Sequence, residues 1–143
     1  ILFYDFGILC KITSKEQDII YRVLKNAFVL NFVDSSKVVI NEISQPKSIL
    51  NSIQNNHHEY NLLLKEVSSW CENMISITKT CTPDDVHKLS IILSKRNLKV
   101  QDWFCKIIFS FAIHESMGKA LSVSKTFLEY GNDLINETED LFE

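Results

Sequence analysis

From Val100 to Ile113 the chain is apolar on nearly every side of a helix. Val100, Trp103, Phe104, Ile107, Ile108, Phe109, Phe111, Ala112 and Ile113 leave no continuous polar face over four turns. A surface helix shows one apolar stripe, so a segment that is apolar all round has to be covered by its neighbours. It is too short, and too closely flanked by Lys99, Asp102 and Lys106, to cross a bilayer. The pattern therefore predicts an all-α bundle of about seven helices around a buried central helix over about 99–117. Phe111 then belongs to the core, and its truncation to alanine is expected to cost about 3–5 kcal/mol.

The cover is supplied by segments with one-sided patterns. Ser14 and Gln17 form a possible capping box before Ile20, Val23, Leu24, Ala27 and Phe28, which predicts a helix over 15–32. The stretch 33–46 mixes Asp34, Ser35 and Ser36 with Val38 to Ile40 and ends in Pro46, so it reads as a connection. Ile49, Leu50 and Ile53 make a short helix ended by the polar run Gln54 to His58. Tyr60, Leu63, Leu64, Val67, Trp70, Cys71, Met74 and Ile75 share one face of a regular amphipathic helix over 60–79. Thr82-Pro83-Asp84-Asp85 is a helix start, with a hydroxyl cap, proline in the first turn and carboxylates at the positive end of the dipole. Val86, Leu89, Ile92 and Leu93 are the buried face of that helix, over 83–96. Gly118 is expected to turn the chain into a helix carrying Leu121, Val123, Phe127 and Leu128, and Gly131-Asn132 to precede a last one ending at Leu141-Phe142.

A length of 143 residues suits one domain, 1–143, with 1–14 as an N-terminal extension. Apolar residues make up 45% of the chain and charged ones 23%, which excludes a disordered chain. Fifteen basic against 18 acidic residues, with no basic stripe, remove the electrostatic footprint of nucleic-acid binding. The apolar start, Ile1 to Thr13, carries Asp5 and Lys11 and no basic leader, and is expected to be neither anchor nor signal peptide. Many Ile and Asn with few Ala is a bias that AT-rich genomes, some viral ones among them, produce.

Catalytic and metal chemistry find little footing. His57, His58, Cys71 and Cys81 match no zinc spacing, and no metal or cofactor is expected. Cys105 and His114 lie about two and a half turns apart on the most apolar helix, where a thiol is no activated nucleophile. Cys10, Cys71, Cys81 and Cys105 read as reduced structural thiols. Asn136-Glu137-Thr138 fits a glycosylation acceptor only by chance frequency. A binding protein is expected, and no enzyme.

Three segments in order resemble a known pattern: Asn56-His57-His58-Glu59-Tyr60, Asp84-Asp85-Val86-His87-Lys88-Leu89-Ser90, and Val100-Gln101-Asp102-Trp103 through Ser110-Phe111. Together they resemble the Bcl-2 family, in particular viral Bcl-2-like apoptosis regulators of large DNA viruses. The family's first homology motif, Asn-Trp-Gly-Arg-Ile-Val followed by Ser-Phe-Gly, is matched by Asp102-Trp103-Phe104-Cys105-Lys106-Ile107 and Ser110-Phe111-Ala112, one residue shorter. Trp, Ile and Ser-Phe survive, whereas Gly and Arg do not. The third motif, Leu-x-x-Val-Gly-Asp, resembles Leu50-Asn51-Ser52-Ile53-Gln54-Asn55 without its Gly-Asp. The second motif has no match in 132–142.

The resemblance implies a Bcl-2-like bundle and an inhibitor of apoptosis that sequesters the Bcl homology 3 helix of host pro-apoptotic proteins, Bim-like or Bak- and Bax-like. Helix-in-groove recognition is the physics of such binding. The implied groove is lined by Leu50, Ile53, Leu64, Val67, Leu89 and Leu93, with Trp103 and Phe104 near its end. Cys105 stands where the family's arginine receives the ligand's aspartate, so Lys106 is expected to replace it, ahead of Lys99 or Arg96. The implied location is the host cytoplasm, at mitochondria, with outer-membrane association only if a C-terminal anchor has been removed. Apolar surface in an eroded groove is also expected to support a homodimer. The rival reading is a Bcl-2-shaped viral protein with a non-functional groove that blocks inflammatory signalling through protein contacts.

Overall fold

A computed structural model describes residues 12–75 and 82–121, together with Glu129 and Asp133. It is mostly helical. The described elements are α1 (Ser14–Phe28), α2 (Phe32–Val38), a π-helical turn (Val39–Ile43), β1 (Ser44–Gln45), α3 (Lys47–Asn55), α4 (His57–Ile75), α5 (Pro83–Ser94), β2 (Lys99–Val100) and α6 (Asp102–Ala120).

The helix α1 starts one residue before the sequence pattern places it. Thr13 is the cap: its hydroxyl accepts from the Glu16 amide at 3.2 Å, and the Glu16 carboxylate accepts from the Thr13 amide at 2.7 Å. An ionised acceptor one residue upstream prevails over the Ser14 and Gln17 pair. The helix ends at Phe28, not at Phe32, because Leu30 takes a left-handed conformation with φ of 60°. The Asn31 amide then donates to Asn26 O and the Leu30 amide to Ala27 O, the two bonds of a Schellman closure.

The stretch 33–46, expected as a connection, holds α2, the π-helical turn and β1. Asn31 caps α2 by accepting from the Asp34 amide at 3.2 Å. Ser35 and Ser36 face inward and are fully buried. Ser35 Oγ donates to Val23 O at 3.0 Å and Ser36 Oγ to Phe32 O at 2.5 Å, so neither hydroxyl is stranded. These serines let α2 pack closely on α1 and α4. Val39, Ile40 and Ile43 of the π-helical turn are fully buried. Ser44 then pairs with Val100 and Gln45 with Lys99 in a two-stranded antiparallel ladder.

The helix α5 starts as its sequence predicts, with Thr82 as cap, Asp85 completing the box and Pro83 in the first turn. It closes at Asn97, whose φ is 56°, with the Leu98 amide donating to Leu93 O at 3.0 Å.

Among the described residues α4 has more packing partners than α6, the helix expected at the centre. Among the described residues α4 packs against α1, α2, α3 and α5, and its Leu63, Val67, Trp70 and Cys71 are buried on one face. The helix α6 packs chiefly on α5. Its Phe104, Ile107, Ile108 and Ala112 are buried, whereas Ile113 is 37% and Met117 55% exposed. Phe111 is only half-buried, and its truncation is therefore expected to cost less than that of a fully buried aromatic. Gly118 lies within α6 and makes no turn. The helices expected beyond it, with Val123, Phe127, Leu128 and Leu141-Phe142, fall outside the described residues, as do 1–11 and Cys81.

Phe104 is the aromatic that α6 commits to the core, 2% exposed and edge-on to Trp103 with ring centroids 5.7 Å apart. Phe104→Ala is expected to cost about 3–5 kcal/mol and Phe111→Ala clearly less, as read by denaturant unfolding of both variants. Equal losses would contradict this packing.

Candidate partner-binding site

Eight of the nine residues expected to line a groove fall in one apolar cluster. Leu50, Val67, Leu89, Leu93 and Phe104 are its buried members, and Ile53, Leu64 and Trp103 pack against it half-buried. They are brought together as core, with little surface left to offer a ligand. Lys106 is not among them. It lies exposed on α6, lining a different cleft that faces α1. A helical face long enough to match a ligand's anchors also matches a neighbouring helix, and α3, α4, α5 and α6 have used these residues on one another.

None of the nine lines the cleft of about 330 Å³ that opens between α4 and α5. Its lining runs from Glu66 to Met74 on α4 and from Asp85 to Ile92 on α5. The walls are therefore roughly 12 Å and roughly 10 Å long at the helical rise of 1.5 Å. Trp70, Met74, Ile91 and Ile92 give it apolar surface, and Ile91 is 46% exposed. The Trp70 indole donates to Asp85 O at 2.7 Å, so the ring is fixed across the two helices. Charged groups border it. Lys88 Nζ lies 2.7 Å from the Asp85 carboxylate, with the lysine side chain 58% exposed.

Arg96 engages Glu66, one of the lining residues. Its guanidinium donates to both oxygens of Glu66, at 3.0 and 3.4 Å, and its Nε stands 3.6 Å from Glu59. That last distance exceeds a hydrogen bond, and Nε is buried without a partner of its own. The bond from Arg96 holds the Glu66 carboxyl below the usual glutamate range against the opposing effect of burial. Arg96, a fallback replacement for the missing motif arginine, is therefore already engaged within the fold. Lys99, the other fallback, sits exposed in β2.

Cys71 is buried with its thiol 3.6 Å from Ser36 Oγ, and burial pushes it up. Burial, with a smaller contribution from Asp102, also raises Cys105. Both are thiols at neutral pH and neither is an activated nucleophile. His57 and His58 are exposed in the first turn of α4, away from the buried Cys71. Among the described residues there is no group of three potential metal ligands, and no helix long and apolar enough to cross a membrane.

Sequence reasoning missed Ile91 and Lys88 as lining residues. Ile91 lies off the periodic face formed by Val86, Leu89, Ile92 and Leu93, and an isoleucine out of phase with its own helix was the available signal. Comparison of the chain with protein-family models, with curated proteins and with solved structures finds no match in any of the three.

Because the Glu66 carboxyl titrates below its ordinary value, the ion pair stabilises the fold above that value and is lost as pH falls through the depressed one. The effect is small, since the Glu66 side chain is 36% exposed. Glu66→Gln is expected to lower the Tm at pH 7, and the gap to wild type should close as the pH falls below the ordinary glutamate range through the depressed value. A gap that persists at low pH would assign the effect to packing.

Proposed function

We propose that this chain is a non-enzymatic apoptosis regulator that holds the amphipathic Bcl homology 3 helix of a Bim-like or Bak- and Bax-like protein against the α4 and α5 surface. The reading joins the sequence resemblance to one observation, the cleft in which Trp70, Met74, Ile91 and Ile92 lie between charged borders. Two walls of about two turns each suit a helix laid along them, with its apolar anchors inward and its polar face outward. Burial of a few such anchors supplies a Kd at or below about 1 μM, near −8 kcal/mol.

The ligand's aspartate meets Lys88 in this arrangement. Lys106, on the α1 side of the molecule, is replaced in that role. Lys88 must exchange Asp85 for the incoming carboxylate, and an ammonium selects geometry less sharply than a guanidinium. A narrow set of ligands follows. The site of action is the host cytoplasm, at the mitochondrial surface where such partners work.

A second reading, contact-mediated block of inflammatory signalling, is favoured by the use of Leu50, Val67, Leu89, Leu93 and Phe104 as core. The two are separated by calorimetric titration of a broad panel of Bcl homology 3 peptides into wild type and Ile91→Glu. Binding by at least one peptide, weakened tenfold or more in the variant while its Tm is kept, is the expected result. Absence of heat from every peptide overturns the apoptotic reading in favour of the signalling one. Equal binding by both proteins would reject the α4 and α5 surface.

A further inference from the structure

A second cleft, of about 400 Å³, lies between α1 and α6 and plays no part in the function proposed above. The helix α1 packs on α2 and α4, and α6 on α5, which leaves a furrow where α1 and α6 face each other. Ile12, Ile20, Ile107 and Phe111 provide its apolar walls. Polar atoms enter from Gln17, Tyr21, Ser110 and Lys106.

Lys106 gives this cleft its chemical character. It is exposed and, among the described residues, makes no ion pair. The other cleft is bordered by Lys88 on Asp85 and Arg96 on Glu66, so its cations are already matched. A cation with no carboxylate beside an apolar furrow is complementary to an amphiphile with an anionic head. The walls run from Gln17 to Tyr21 and from Lys106 to Phe111, roughly 6 Å and roughly 8 Å, too short to seat a partner helix of several turns. A volume of this size falls within the range of small-molecule sites.

The helix α6 also extends the surface available to an apolar tail. Lys106, Ser110, Ile113 and Met117 follow at spacings of four, three and four, and so form one stripe. Ile113 and Met117 are 37% and 55% exposed. The head of a ligand at Lys106 thus sits at one end of an apolar track along α6.

We propose that the α1 and α6 cleft binds a single-chain aliphatic carboxylate, its head on Lys106 and its tail between Ile20, Ile107 and Phe111 and onward over Ile113 and Met117. The test is calorimetric titration of the intact chain with decanoate, undecanoate and dodecanoate below their micellar concentrations, and with dodecanol. Each added methylene should tighten binding about fourfold, the equivalent of about 0.8 kcal/mol. Dodecanoate should bind about tenfold tighter than dodecanol, and Lys106→Met should remove that preference while leaving the Tm and dodecanol binding unchanged. Gln17→Trp, which fills the mouth, should weaken both ligands. The proposal is overturned if dodecanoate does not bind, if Lys106→Met keeps the preference for acid over alcohol, or if Ile91→Glu in the other cleft abolishes binding while Gln17→Trp does not.

Discussion

The burial of one face of α4 is the constraint on which the described structure depends. Leu63, Val67, Trp70 and Cys71 recur at helical spacing, and α1, α2, α3 and α5 all pack against the helix that carries them. Removing this apolar area from water, at about 25 cal/mol per Å², is the main term favouring assembly. Each neighbour meets a different part of the α4 surface, so every neighbour's position is referred to that one helix.

Apolar burial has no direction, and the orientation of the neighbours comes from polar contacts made at few points. Ser35 Oγ on Val23 O joins α2 to α1. The Trp70 indole on Asp85 O joins α4 to the first turn of α5, and Arg96 on Glu66 joins α4 to the turn after α5. Gln101 donates through its backbone amide to Ile43 O at 3.0 Å and through its side chain to Glu42 O at 2.8 Å, while accepting from the Trp103 indole. That contact, with the short β1 and β2 ladder, fixes where α6 begins. Buried donors and acceptors are costly when unmatched, so these bonds select one arrangement among several with similar apolar burial.

Two of the clefts among the described residues differ in chemistry. Between α4 and α5 the charges are paired across a long apolar floor, a surface suited to a helix. Between α1 and α6 the furrow is short and carries a cation with no partner among the described residues, a surface suited to a small anion with an apolar tail. Lys106 and Lys88 differ less in their own properties than in what the fold places beside them.

The sequence by itself determined the helical class, the amphipathic faces of α4 and α5 and the start of α5, because these follow from local periodicity and capping chemistry; on α1 the buried isoleucine is Ile19, where periodicity pointed to Ile20. The eight apolar groove candidates fall in one core cluster. The break after Phe28 was not legible, since Leu30 adopts a conformation for which glycine is the usual signal. Asn97, a residue that tolerates that conformation, was legible at the end of α5. The segment 33–46 carried buried serines that read as loop residues until Val23 O and Phe32 O were seen to accept from them. Only the tertiary structure decided which apolar faces remained open, and on which side Lys106 lay. Periodicity specifies that a face must be covered, but what covers it depends on residues far away in the chain, and that information is not local.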